Sequence, residues 1–262
     1  MQLLLWNING VRAISKKEVF ASITFDSFVS NYDIVVLNET KINEDTLTCE
    51  YLNTHKYSYH SHSNVRRGYS GVSILSNLKP IQRLNPSFDD NEGRMVILEF
   101  TQFILIGVYT PNSGLIDSST KKPTRIDYRT NTWDRLFRNM CKSLEKKKPI
   151  IVAGDLNVAY TDMDVYDPIV VKNKAGFTDE ERTNFGHLLE TTSLVDIWRR
   201  KHPTKVEFTY FNYRMRAREH NRGWRIDYIL TSKQLYNKVK SCDIIPAYGS
   251  DHIPLRMVID NF

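Results

Sequence analysis

Cysteine is scarce in this chain: Cys49, Cys141 and Cys242 are the only three among 262 residues. An odd number at wide spacing argues against a disulfide framework and a thiolate zinc site, and it suits a reducing compartment. Linker composition is missing too. The 11 glycines and 9 prolines are scattered, there is no repeat period or low-complexity tract, and one domain over residues 1–262 is expected. No stretch approaches the roughly 18 apolar residues of a membrane span. The opening MQLLLWNING has only a short apolar run without a basic leader. A soluble intracellular protein is expected, with nucleus, cytoplasm and viral factory undistinguished. An acidic excess is also lacking: 36 Lys and Arg face 30 Asp and Glu, a formal net charge of +6. That balance is compatible with a polyanionic partner.

What is present is a series of short runs rich in β-branched and aliphatic residues, at 2–7, 33–39, 71–76, 94–100, 103–110, 149–155, 224–230 and 256–262. Several are continuously apolar, as strands covered on both faces are. Helices are expected between them. In 128–148, Trp133, Leu136, Phe137, Met140 and Leu144 recur at three- and four-residue steps. In 178–194, Thr178 and Glu181 make a capping box. Strands paired first with each other and then alternating with helices indicate an α/β layered sandwich with mixed sheets.

Five of these strands end in polar residues suited to an active site: Asn7 followed by Asn9, Asn38-Glu39, Tyr109, Asp155 followed by Asn157, and Asp227. Strands of one sandwich can deliver such ends to one rim. Glu39 with nearby carboxamides can hold a hard cation such as Mg²⁺, although a surface pair with Lys41 and a plain Asn-Gly turn are equally readable here. In GDLN (154–157) the glycine brings the backbone close, so that Asp155 can orient or deprotonate water and Asn157 can donate to a phosphoryl group. Asp162 and Asp164 read as solvated turn charges. Asp227, placed inside a strand, needs a partner, and His252 of SDH (250–252) is the natural one. His55, His60 and His62 read as loop residues. The segment RMRAREHNRGWR (214–225) sets five arginines against one glutamate, with aromatics upstream. Arginines interleaved with rings suit phosphate contact and base stacking.

Eight segments in order, WNINGVRA, LNETK, GYSGVSILS, GVYTPNSG, GDLNVA, NKAGFTDEER, RMRAREHNRGWRIDY and GSDHIPL, resemble the exonuclease III family of apurinic/apyrimidinic endonucleases, within the endonuclease/exonuclease/phosphatase superfamily. The resemblance implies a four-layered α/β sandwich, two packed mixed β-sheets flanked by helices. It implies a Mg²⁺-dependent phosphodiesterase, with Mn²⁺ as substitute. The activity it implies is cutting of duplex DNA 5′ to abasic sites, leaving a 3′-hydroxyl, with cleaning of blocked 3′ ends as a 3′→5′ exonuclease and phosphatase. A monomer without membrane attachment is expected. Carried over by motif, Glu39 binds the metal with Asn7, Asn9 and Asp251. Asp155, Asn157, Tyr109, Asp227 and His252 serve catalysis, with Asp155 and His252 both open as the base. Arg12, Lys41, Tyr69 and Asn112 match positions that contact the DNA backbone. Trp224, Tyr210 and Phe211 match the wall that receives the base-less sugar.

The chain also departs from that pattern. Leu115 stands where many cellular members have an arginine that inserts into DNA, and Lys174 replaces an asparagine that contacts phosphate. Arg214 and Arg216 make the minor-groove loop more basic. These changes imply an altered grip on DNA more than altered chemistry. Phosphatase and sphingomyelinase branches share the Asn, Glu, GDxN and SDH residues, but NKAGFTDEER and GWRIDY favour the repair branch. A DNA-binding scaffold without activity is the second class, against which the intact acids and His252 stand.

Overall fold

The structure is a computed structural model that describes residues 1–43 and 53–260. Fourteen strands are present among them: β1 (Gln2–Asn7), β2 (Glu18–Phe20), β3 (Ile23–Thr24), β4 (Ile34–Asn38), β5 (Tyr57–Ser61), β6 (Val72–Ser76), β7 (Gln82–Leu84), β8 (Met95–Glu99), β9 (Ile104–Tyr109), β10 (Ile150–Asp155), β11 (Leu194–Asp196), β12 (Asp227–Ser232), β13 (Val239–Ile244) and β14 (Leu255–Ile259). Two six-stranded mixed sheets have the orders β13-β14-β1-β4-β6-β5 and β11-β12-β10-β9-β8-β7. The helices are α1 (Val11–Ile14), α2 (Phe25–Val29), α3 (Asp134–Glu145), α4 (Asp179–Thr191), α5 (Ile197–Lys201) and α6 (Lys233–Tyr236).

Successive side chains of a strand point to opposite faces, so a strand covered on both sides must be apolar throughout. Leu3 and Leu5 of β1 enter the core between the sheets together with Val36, Leu105, Ile151 and Ala153. Leu4 and Trp6 turn the other way and pack with Phe25 and Phe28 of α2. On the far sheet, Ile150 and Val152 lie under Phe137 and Met140 of α3 and Phe185 of α4. The four layers are therefore helices, sheet, sheet, helices, as expected. No described helix is long and apolar enough to cross a membrane.

Several expectations need correction. The 224–230 strand starts at Asp227, and Trp224 makes only isolated bridges with Val165 and Tyr210. The helix expected at 128–148 opens with a π-helical turn, Tyr128–Trp133, before α3. The capping box of Thr178 and Glu181 forms as expected at the start of α4. His60 lies in β5, where its Nδ1 meets the Ser73 hydroxyl at 2.8 Å. Asp164 is fully buried rather than solvated: Arg225 Nε and Arg199 Nη2 donate to it at 2.7 and 2.6 Å. Arg225 is thus a buried structural cation, leaving four arginines of its segment for other roles. Cys141 and Cys242 are buried free thiols, and Cys49 lies outside the described residues.

Gly154 explains part of the GDLN motif. A Cβ there would stand 1.9 Å from the Val108 carbonyl oxygen of the neighbouring strand, and backbone cannot yield as a side chain does. Gly154→Ala is expected to cost roughly 3 kcal/mol, an overpacking penalty at the upper end. This should appear as a melting temperature about 6–12 °C lower. An unchanged melting temperature would show that β9 and β10 can separate at no cost.

Candidate active site

The strand register assembles the centre of the site. In the first sheet Asn7 of β1 stands opposite Asn38 of β4. In the second, Asp155 of β10 lies between Tyr109 of β9 and Asp227 of β12. All these strand ends fall at one rim, and the carboxamides clip the two sheets together there. Asn7 Nδ2 donates to Asp155 Oδ2 at 2.9 Å, and the Asp155 backbone N–H donates to Asn38 Oδ1 at 2.8 Å. Asn7, Asn38, Asp155 and Asp227 are all buried.

Loops leaving these strands bring the remaining groups. Asn9, Glu39, Lys41 and Asn157 have φ of 50°, 49°, 53° and 48°. Left-handed backbone costs of order 1–3 kcal/mol per non-glycine residue and collects at functional sites. The Glu39 turn is held because the N–H groups of Thr40 and Lys41 donate to the carbonyls of Gly71 and Ser70. The Asn157 turn is held by its own N–H on Asp155 Oδ1 at 2.9 Å and by buried Arg129, whose guanidinium donates to the carbonyls of Pro111, Leu156 and Asn157. Asn157 Nδ2 donates to the Thr110 carbonyl, and its Oδ1 accepts from Asn112. Ser250 Oγ donates to the Asn7 carbonyl and Trp6 Nε1 to the His252 carbonyl, which ties the loop before β14 to β1.

Asp227 Oδ2 lies 2.8 Å from His252 Nδ1, leaving Nε2 directed toward Asp155 Oδ2 at 3.8 Å. Burial and the facing carboxylate of Asp227 push the Asp155 carboxyl up to about 7, against the pull of His252. For His252, burial pushes downward, but Asp227, Asp155 and Asp251 more than offset it, to about 10. The pair titrates as a unit: near neutrality the imidazole is cationic and Asp155 is the group poised to exchange a proton. Glu39 behaves oppositely. Burial would raise its carboxyl, but Lys41, His252 and hydrogen bonds from Tyr109 (2.8 Å) and Asn7 (3.1 Å) bring it below the usual range. Burial and the negative charge of Glu39 hold the Tyr109 hydroxyl well above its ordinary value, so it remains a donor.

An open cleft of about 830 Å³ lies over this rim. Asn9, Glu39, Tyr109, Asp155, Asn157, Asp251 and His252 face it, while Asn7 and Asp227 lie buried behind these residues. Tyr210, Trp224, Ile226 and Val171 form an apolar side wall, and Asn112, Lys174, Arg214 and Leu115 stand around the same opening. Leu115 is 85% exposed. Phe211 does not reach this wall. It packs on Phe208 and, with Arg216, lines a second cleft of about 690 Å³. Arg12 is exposed on α1, and Tyr69 lies beyond Tyr109.

Sequence reasoning missed the supporting residues. Arg94, 1% exposed, stacks against the Tyr69 and Tyr109 rings and donates to the Tyr69 hydroxyl at 2.7 Å and the Tyr109 carbonyl at 3.1 Å. Arg129, Ser250 and Trp6 were also unassigned, and Asn38 was named only as part of a polar strand end. A charged residue placed just before an apolar strand, as in GRMVILEF, was the available signal for Arg94.

The donor set beside Glu39 fits a divalent cation of the hard class. Glu39 and Asp251 offer carboxylate oxygens and Asn9 a carboxamide oxygen, without sulfur, whereas Asn7 turns its amide Nδ2 toward Glu39 and its Oδ1 accepts from the Asn9 N–H. The Lys41 ammonium stands in for such a charge, held by Glu39 Oε2 at 3.3 Å and by a short hydrogen bond to Asn9 Oδ1. Asp155, Asp227 and His252 form a second group of ligand-type atoms within 4.8 Å of one another, in which Asp227 Oδ2 and His252 Nδ1 already engage each other at 2.8 Å.

Residues 4–252 match the endonuclease/exonuclease/phosphatase family. The chain is 36% identical over 267 residues to an exodeoxyribonuclease of Bacillus subtilis, covering 99% of this chain and all of the relative. It is 35% identical to a DNA-(apurinic or apyrimidinic site) endonuclease of Dictyostelium discoideum, covering 99% of this chain and 71% of that one. Among solved structures, an AP endonuclease from Leishmania major superposes with a TM-score of 0.84 at 27% identity, over 99% of this chain and 87% of the other.

Proposed function

The chain belongs to the endonuclease/exonuclease/phosphatase family, and from that premise we propose that it is a DNA-repair nuclease cutting duplex DNA 5′ to abasic sites, leaving a 3′-hydroxyl. The same site would trim blocked 3′ ends. One observation carries the reading: the apolar wall of Tyr210, Trp224 and Ile226 shares a cleft with Asp155 and His252. A nucleotide without its base can flip into an apolar slot at lower unstacking cost than an intact one. The lesion's phosphate then meets fixed donors. Lys174 and Arg214 at the opening supply charge for the backbone.

Asp155 accepts the proton of the attacking water, because a carboxyl poised near 7 is matched to that task, while cationic His252 cannot accept one. Water oxygen bonds to phosphorus, the bond to the 3′-oxygen breaks, and that oxygen leaves with a proton from solvent. His252 Nε2 donates to the phosphoryl group, Asn157 adds a neutral amide donor, and Asp227 keeps the imidazole charged and oriented. Tyr109 steadies Glu39. Mg²⁺, with Mn²⁺ as substitute, would be held by Glu39 and Asn9 with Asn7 and Asp251 beside them, and would neutralise charge on the phosphoryl group. All these residues come from one chain, so a monomer suffices.

Activity should follow a bell. It is lost at low pH as Asp155 protonates, with the acid limb at or below about 7, and lost at high pH as His252 deprotonates near about 10. A single-turnover profile that stays flat down to pH 5 would remove Asp155 as the base. The function itself is tested with a 5′-labelled duplex carrying one tetrahydrofuran abasic analogue. One Mg²⁺-dependent product that a DNA polymerase extends is expected, and none with chelator. Hydrolysis of small phosphate esters with the duplex left whole would move the chain to the phosphatase branch.

A further inference from the structure

Lys41 sits where its charge is not neutral to the chemistry. Its ammonium contacts Glu39 Oε2 at 3.3 Å and the Asn9 carbonyl at 3.4 Å, and donates a short hydrogen bond to Asn9 Oδ1. Asn9 Oδ1 is therefore committed to Lys41, while Asn9 Nδ2 donates to Asp251 Oδ1 at 3.1 Å. Glu39 and Asn9 thus form a set of oxygens already supplied with one positive charge. A divalent cation on the same oxygens is disfavoured while an ammonium remains at hydrogen-bond distance, because like charges repel at that range. The backbone of Lys41 cannot withdraw, being left-handed at φ 53° and bound through its N–H to the Ser70 carbonyl at 2.9 Å. Its side chain can. The stem passes over Gly10, where an added Cβ would meet Lys41 Cδ at 3.4 Å, and the side chain is 32% exposed.

We propose that Lys41 is an exchangeable counter-ion: it holds Glu39 and Asn9 in register in the metal-free protein and is handed to a DNA phosphate when the cation enters. The inference rests on the metal position proposed above. Release of Lys41 to phosphate vacates Glu39 and Asn9, and a cation on those oxygens drives Lys41 outward. Each ligand therefore favours the other, and by linkage the two enhancement factors must be equal. Lys41 acts here as a positioning residue for the ligand set and as the link between cation and substrate.

The test is Mn²⁺ binding followed by electron paramagnetic resonance, with the free protein and with saturating nicked product duplex. In the parent, duplex is expected to tighten Mn²⁺ binding about tenfold, within the ordinary range of coupling. In Lys41→Met, the free protein should bind Mn²⁺ about tenfold more tightly than the parent, and the duplex should tighten binding by a smaller factor than in the parent, since only the direct attraction of phosphate for the cation remains. Lys41→Arg, which keeps the charge, should resemble the parent, separating charge from loss of folding. Glu39→Gln is the control for the site. If it abolishes Mn²⁺ binding while Lys41→Met leaves the free-protein affinity unchanged or weaker, the counter-ion proposal is overturned alone. If Glu39→Gln leaves binding intact, the metal position fails and the proposal falls with it.

Discussion

Asp155→Asn is expected to bind an abasic duplex as the parent does and to cut it about 10⁴-fold more slowly, the upper range for loss of a general base. The amide cannot take the proton of water, yet it has the same shape. Its effect on stability should run the other way. Asp155 is a buried carboxylate facing Asp227, and its carboxyl is held at about 7 by burial and that repulsion. A neutral isostere removes both penalties at the cost of one hydrogen-bond acceptor, since Oδ1 and Oδ2 currently accept from Asn157 and Asn7. The melting temperature should therefore stay level or rise while activity collapses, as expected where a strained site trades stability for function. Rapid-quench rates and a thermal melt on one preparation decide this. A fall in rate of less than tenfold would mean that Asp155 only shapes the pocket.

His252→Asn is expected to lower the single-turnover rate about 10³-fold, through loss of a charged donor to the phosphoryl group. Asp227→Asn should cost less, about 10-fold to 10²-fold, because it acts through His252. The double variant should be no slower than His252→Asn alone, since residues of one unit are not additive. The pH profile of Asp227→Asn separates this account from simple damage. Asp227 raises both His252 and Asp155, so removing its charge lowers both. The alkaline limb and the acid limb should each move to lower pH. A profile in which only the rate falls, with both limbs in place, would show that Asp227 does not set the charge of the pair.

The residues most legible in the sequence were those whose chemistry is local. Leu3 to Trp6, Val35 to Leu37 and Ile150 to Ala153 are apolar at every position because they lie between a second sheet and a helix layer, and polar residues just beyond them marked the rim. The edge strands were missed for the converse reason: β5 reads YSYHS and β7 reads QRL, with only Tyr59 and Leu84 packed on the core, too few apolar positions to make a pattern. Asp164 was misread because its partner Arg225 lies 61 residues away and nothing nearby announces a buried ion pair. Arg94 and Arg129 escaped for a related reason, since arginines are rarely buried and their roles arise only from tertiary contacts with Tyr69, Tyr109 and the Asn157 turn. Phe211 was placed at the sugar wall by motif match together with Tyr210, but neighbouring residues on an extended segment face opposite ways, and it turned into the second cleft.

The central claim is that one cleft joins a base-excluding apolar wall to a hydrolytic rim. The most direct measurement is the single-turnover rate at one abasic analogue compared with the rate at an intact nucleotide in the same duplex position, with Mg²⁺ in both. The expected ratio is at least ~10³ in favour of the abasic site, about 4 kcal/mol of discrimination. Equal rates at both positions would contradict it, because the wall of Tyr210, Trp224 and Ile226 would then select nothing.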